Sequence, residues 1–451
     1  MDFMKINGIF LSCLLSIVAP KILAQEQKLL VGLHALDVNP KIGIPLAGYG
    51  STDRRLNNFF DWSGEYKESS LFKPSEGFHS LIRSKVMFLK MGDKNLVFVS
   101  LDTIGTEDRF IKDIAANLAD LGIKEEEIII SATHTHGGPG TLSNRLPLQA
   151  IAVDFYKEKN YRYIVKQVTL SIVRAYHSLR EAELFKSKAV IDGVQRNKWR
   201  RKEERHYDQR ASFLVARDRH NGRWLGGMVN FSIHGGTMPV GLMLYSSDIN
   251  GAIEIALEKW LAQKNAPLAD YPVCLFMNGA EGDVGSKGER SVEAIERLST
   301  LFLEQAAPSL EEANLTPVEA KFSVQKKKLF VGTPGLPMKG CQKGLFGKLP
   351  EWMKVSLFNL LPTHSYISLA QVGDITYMTY PGEPSTQIGY DLQALAIARG
   401  HSDPQIISLA NDYMTYFTTR KEYREFAYDS CSSMYGWQGG VRIMQGHQDW
   451  L

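Results

Sequence analysis

The sequence predicts an α/β fold, with mixed β-sheets layered with helices in one large domain. Three observations carry that reading. Short apolar and β-branched runs alternate with longer amphipathic stretches at crossover spacing. No repeat, low-complexity tract or Gly/Ser linker divides the 451 residues. The composition, 44% hydrophobic and 22% charged, suits a chain with a sizeable buried core. It excludes disorder, collagen and coiled coil. A formal charge of +3 lacks the basic excess of a nucleic-acid binder, so no nucleic-acid partner is expected.

The first element is an address. Lys5 precedes an apolar run from Ile9 to Pro20, and Ile22-Leu23-Ala24 follows. This is a secretory signal pattern, with residues 1–24 removed and a mature chain of 25–451. The run is too short for a spanning helix, although an uncleaved anchor is the alternative. The protein is therefore expected to be secreted or periplasmic. Cys274, Cys341 and Cys431 remain after removal of Cys13. Three cysteines allow one bridge and leave one thiol over. With no CxxC, a thiolate zinc site is not expected.

Residues 86–90, 96–101 and 128–131 read as strands, and 108–121 as a helix between the last two. Strand, helix, strand at this spacing predicts a crossover unit. Residues 155–179 form a long helix candidate. Residues 213–216 and 228–233 read as strands of a hairpin, with Asn221-Gly222 in its turn. Helices are predicted at 251–264 and 292–312. A second hairpin lies in 369–380, around Val372-Gly373-Asp374. Residues 330–362 stand apart, rich in Gly, Pro and aromatics. They read either as a long surface loop with a core-packed helix, or as an apolar, membrane-facing lid near a lipid site.

The sharpest chemical signal follows the run of Ile128, Ile129 and Ile130. His134 and His136 come next, then Gly137-Gly138-Pro139-Gly140. Residues two apart on an extended chain point the same way, so two imidazoles reach one spot at a strand end. Imidazole is a common zinc ligand; the bland reading is a hydrogen-bonded pair at a turn. His234 follows an apolar strand and precedes Gly235-Gly236; on its own it reads as a satisfied core histidine, but its context repeats the design of His134. Glu383 sits in a Pro/Gly turn after another strand; an N-cap role is its bland reading. Asp283 sits in a turn after 273–277, where it reads equally as an Asx residue. Turns bearing His and Glu after successive strands fit a catalytic metal site with an open position.

Spread over the mature chain, these motifs resemble the neutral ceramidase family. Val31 to Pro40 with Ala47-Gly48-Tyr49-Gly50 is similar to the family's opening segment. Thr133 to Pro139 is similar to its most specific motif. Ile233-His234, Ser247-Asp248, Gly282-Asp283-Val284, Pro381-Gly382-Glu383 and Tyr416 to Tyr423 follow in the family's order. The resemblance implies a catalytic domain binding Zn2+ through His134, His234, Glu383 and Tyr416. It implies that His136 contacts substrate or ligands and that Tyr428 contacts the reacting amide. The family's C-terminal immunoglobulin-like domain is expected to be absent.

Two positions depart from the family. Its nucleophilic serine has Gly285 as counterpart, with a serine one residue later at Ser286. Its arginine has Lys198 as counterpart, which keeps the charge but loses the bidentate fork. The resemblance implies a zinc-dependent amidohydrolase acting on ceramide or a related N-acyl lipid. Attack is then by metal-activated water, with His136 as base and Tyr428 at the oxyanion, or by Ser286. The alternatives are another amide or ester substrate, or a metal-bearing binding protein without catalysis.

Overall fold

The computed structural model describes residues 28–50, 53–56, 64, 66–198, 206–265, 271–337, 353–357, 359–425 and 427–451. The expected signal segment 1–24 and the centre of the 330–362 segment lie outside them.

Apolar residues stand on both faces of 96–101 and 128–131, which suits strands covered on both sides. The strands Lys94–Leu101 and Ile128–Ala132 pair in parallel, with Val97 opposite Ile128, and the helix Asp108–Asn117 lies between them in sequence. The predicted crossover is present. Its helix stops short of 121, where a 3-10 turn ends at Gly122.

These strands close one end of a long sheet. Its order is Val273–Asn278, Trp224–Phe231, Arg210–Asp218, Arg180–Val190, Leu30–Asp37, Arg83–Met91, Lys94–Leu101, Ile128–Ala132. The predicted Asn221-Gly222 hairpin joins Arg210–Asp218 to Trp224–Phe231, with a register shift at Ala216/Arg217. At the far end, Trp224–Phe231 and Val273–Asn278 are again parallel, joined through the helix Asp248–Lys264. A second sheet runs Phe322–Phe330, His364–Val372, Ile375–Thr379, Asp403–Ile407. Its first three strands are antiparallel, and the expected turn at Gly373 joins the second and third. Its last pair is parallel and crosses over through the helix Thr386–Ala398.

The inner face of the long sheet packs on the second sheet. Met87, Phe98, Ile129, Leu214, Met228 and Leu275 share a cluster with Ala370, Tyr377 and Ile407. Helices cover the outer faces. Val97, Val99 and Ile130 pack under Phe110, Ile114 and Val168. Val229 and Phe276 pack under Ile253, Leu257 and Phe302. The mixed, layered α/β architecture is the one expected.

Two more predicted helices are shorter than expected, for local reasons. The helix of 155–179 spans Glu158–His177. Its start is delayed because Asp154 adopts φ 65° and its carboxylate accepts the Ser70, Leu71 and Phe72 amides. The helix of 292–312 ends at Ala306, just before Pro308, in a 3-10 turn. Cys274 is a buried free thiol and Cys431 is disulfide-bonded. Among the described residues, no helix is long and apolar enough to cross a membrane.

Candidate active site

Each parallel pair delivers a chemical group just past its carboxyl end, where ligands gather in open α/β sheets. His134 follows Ile128–Ala132, His234 follows Trp224–Phe231, Glu281 follows Val273–Asn278, and Glu383 follows Ile375–Thr379. All four are buried and they converge. One ligand atom each from His134, His136 and His234 lie within 4.8 Å of one another, as do those of His234, Glu281 and Glu383.

The imidazole tautomers are set by what lies behind them. His134 Nδ1 is 2.6 Å from the Ile104 carbonyl, which requires it to donate. His234 Nδ1 is 2.6 Å from Glu281 Oε2. Both leave Nε2 as the atom facing Glu383, at 3.3 Å and 3.7 Å from its Oε2. Glu383 Oε1 accepts from the Tyr413 hydroxyl at 2.7 Å. His134 itself holds φ 62°, a left-handed conformation that costs a non-glycine residue about 1–3 kcal/mol. Its amide donates to the Thr103 carbonyl, which helps to hold the residue there.

These atoms fit a zinc ion. Ligand atoms about 2.1 Å from a tetrahedral metal are roughly 3.4 Å apart, close to the separations above. Glu383 Oε2 and both ring nitrogens of His136 are buried without a hydrogen-bond partner. Such atoms are costly unless something occupies the space between them. Tyr416 stands opposite Glu383 in a short parallel bridge, and its buried phenol lies close enough to feel that carboxylate's charge. All four expected ligands, His134, His234, Glu383 and Tyr416, are thus brought together.

Burial dominates the electrostatics. It pushes the imidazoles of His136 and His234 well below their ordinary range, with neighbouring cations adding to the effect. Both rings are therefore neutral and available as ligands or bases. Burial opposes protonation of His134 too, but the Glu383 carboxylate outweighs it and the net shift is upward. Burial and then the Glu383 charge raise Glu281 to about 8. The phenols of Tyr413 and Tyr416 are raised by burial and by Glu383.

His136 is held by residues beyond the His/Glu cluster. Its amide donates to the Gly235 carbonyl, and its ring lies 4.2 Å from Tyr49. Gly48 lies against it. A Cβ there would fall 2.5 Å from His136 Nδ1, and φ is +109°, so glycine is required twice over. The buried Arg54 donates to the carbonyls of His136, Ala47 and Val240. Burial lowers its guanidinium to about 10.

Two cavities meet at this cluster, and His136, Tyr416 and Tyr428 line both. The first, about 280 Å³, is walled by Leu101, Ile104, Phe110, Leu142, Leu148 and Val153, with His134 and Glu383 at its polar end. The second, about 660 Å³, is lined by Arg55, Arg196, Lys198 and Arg290. Tyr428 packs edge-on against Tyr416 with ring centroids 5.7 Å apart.

Gly285 and Lys198 are neighbours. Val284–Ser286 pairs antiparallel with Gln195–Asn197, Gly285 opposite Arg196 and Ser286 opposite Gln195. A Cβ on Gly285 would lie 2.8 Å from Lys198 Cδ. Ser286 shares its face with Gln195, whose amide donates to the Ser232 carbonyl. That is the strand face opposite Gly285. Both Gly285 and Ser286 border the second cavity.

Sequence reasoning missed Glu281, Tyr413 and Arg54. Glu281 carried a usable signal, since it follows a strand just as Glu383 does. Tyr413 and Arg54 sit in irregular segments with no pattern to flag them. Asp283 is more than a turn residue. It accepts from Asn197 Nδ2 at 2.7 Å and from the amide and hydroxyl of Thr386 at 2.8 Å, tying the segment carrying Lys198 to the one carrying Glu383. Asp248 accepts the amides of Thr237 and Met238, anchoring the loop after His234.

Comparison with known proteins gives a consistent match. Residues 69–293 fit the family described as "Neutral/alkaline non-lysosomal ceramidase, N-terminal". The neutral ceramidase of Oryza sativa subsp. japonica is 25% identical, over 53% of this chain and 30% of that protein. The neutral ceramidase of Mycobacterium tuberculosis is 22% identical, over 87% of this chain and 71% of that one. The match thus spans under a third of the rice protein's length. Among solved structures, the neutral ceramidase of Pseudomonas aeruginosa superposes with a TM-score of 0.78 at 19% identity, covering 94% of this chain and 74% of that one. A structure titled "Ceramidase complexed with C2" gives 0.78 at 18% identity.

Proposed function

Because this chain belongs to the neutral/alkaline ceramidase family, we propose that it is a zinc-dependent amidohydrolase acting on ceramide or a related N-acyl lipid. The products are a fatty acid and a sphingoid base or other amine. The observation that carries this reading is the convergence of His134 Nε2 and His234 Nε2 on Glu383 Oε2, at 3.3 Å and 3.7 Å, with His134 and Glu383 at the polar end of an apolar cavity.

His134, His234, Glu383 and Tyr416 would hold the ion. Zinc bound there supplies a Lewis acid for the scissile carbonyl and lowers the pKa of water toward about 7. The apolar cavity takes the acyl chain, which sets the amide beside the ligands. His136, neutral and with both nitrogens unpartnered, takes a proton from the attacking water and passes it to the leaving amine. Tyr428 lines the junction of the two cavities and donates its hydroxyl to the developing oxyanion. With Gly285 lacking a side chain and Ser286 on the opposite strand face, water is the nucleophile. Export to the periplasm or medium accords with the signal pattern of residues 1–24, and the 330–362 segment is a candidate membrane-surface contact.

Hydrolysis of a labelled short-chain ceramide by purified mature protein tests the proposal. Fatty-acid release is expected from metal-replete protein and lost on chelation and in His134→Ala. No release from protein shown to hold zinc overturns the reading.

A further inference from the structure

We infer that the cavity on the amine side of the scissile bond binds an anionic group, so that the substrate is an N-acyl amide whose amine carries a carboxylate, sulfonate or phosphate. This rests on the amidohydrolase reading for the direction of the substrate. With the acyl chain in the apolar cavity, the amine portion enters the second one.

That second cavity has a marked charge. Arg55, Arg196, Lys198 and Arg290 line it, against the carboxylate of Asp53. The acids nearest the metal cluster are already engaged. Glu281 holds His234, Asp283 holds Asn197 and Thr386, and Glu383 faces the imidazoles. Arg55 is partly committed to the Gly50 and Ala150 carbonyls. Arg196 and Arg290 form no ion pair among the described residues. Arg290 is placed by its guanidinium, 4.9 Å from the centroid of Tyr49, the same ring that packs on His136.

The sequence builds this charge locally. Arg196 and Lys198 are two apart on an extended segment and both reach the cavity. Gly285 lies opposite Arg196, and its missing side chain is what lets the Lys198 stem lie across it. The position that bears a nucleophile by family resemblance is thus given over to a cation. The hydroxyls of a neutral sphingoid head group have no need of several cations. An anion draws charge-assisted hydrogen bonds from them and is steered into the cavity by their summed field.

The test compares N-lauroyl taurine with N-lauroyl ethanolamine, which share an acyl chain and a two-carbon amine and differ in sulfonate against hydroxyl. Binding is measured by calorimetry on metal-depleted wild-type protein, where turnover is blocked. N-lauroyl glycine repeats it for a carboxylate. The sulfonate is expected to bind about tenfold tighter at low salt, from two screened charge contacts of roughly threefold each. The preference shrinks at high salt. It falls toward one in the double variant Arg196→Ala, Arg290→Ala, whose exposed positions put folding at little risk. Equal or weaker sulfonate binding overturns the inference. So does a preference that survives the double variant. Failure to hydrolyse any amide would instead count against the amidohydrolase reading, and would leave the binding ratio as measured.

Discussion

Replacing Glu281 by glutamine separates the ligands from what aims them. Glu281 is fully buried and touches no metal position directly in the proposed set; its Oε2 takes the His234 Nδ1 proton at 2.6 Å. Glutamine keeps the volume and can still accept that hydrogen bond through its own carbonyl oxygen, but it cannot ionise, whereas Glu281, raised to about 8 by burial and Glu383, gives up its proton when a cation enters beside it. A carboxylate behind a ligating imidazole fixes its orientation and raises the basicity of the opposite nitrogen. Losing such a partner typically weakens metal binding about 10–100-fold, or roughly 1.4–2.8 kcal/mol. Glu281→Gln should therefore fall at the upper part of that range, because the bond is short and excluded from water. Zinc affinity is read by competition with a chromophoric chelator, and His234→Ala, which removes the ligand, should cost more. The thermal midpoint of the metal-free protein checks that the fold survives. Wild-type zinc affinity in Glu281→Gln, with His234→Ala strongly weakened, would refute the positioning argument. Unchanged affinity in both would refute the ligand assignment.

Three further outcomes are expected. Gly48→Ala forces a side chain 2.5 Å from His136 Nδ1 at φ +109°; it should lower stability by about 1–3 kcal/mol in urea unfolding, and an unchanged midpoint would contradict the packing. Gly285→Ser should cost about 1 kcal/mol by crowding the Lys198 stem, and Lys198→Ala should relieve that cost, so additive effects in the double-mutant cycle would disprove the contact. Burial holds His447 at about 4, against 6.5 for a free histidine, with its ring bonded to the Thr379 carbonyl at 2.9 Å. The unfolded chain then takes up this proton first as pH falls, so up to about 3 kcal/mol of stability present above pH 6.5 is lost on the way to pH 4. Thermal midpoints of His447→Gln should fall less steeply over that window, and parallel curves would exclude the assignment.

Local pattern made most strands and the first crossover legible. Residues 96–101 and 128–131 read as strands from their short apolar runs, and the packing then showed both of their faces covered. The turn after each run marked His134, His234 and Glu383, because residue types that ligate metals recur in the same setting past successive apolar strands. Helix ends were less legible. Asp154 delays a helix through three amides more than eighty residues away in sequence, and no local rule encodes that.

By itself, then, the sequence determined the strand and helix periods, the crossover after Leu101 and which residue types stand at strand ends. All depend on neighbours within a few positions. Tertiary structure decided that those ends converge, because convergence depends on how the sheets pack through Phe98, Tyr377 and Ile407. It also decided which nitrogen of each imidazole faces inward, since the Ile104 carbonyl and Glu281 lie behind them. Lys198 across Gly285 is the same kind of fact. Two unremarkable letters become one feature only when an antiparallel pairing sets them side by side.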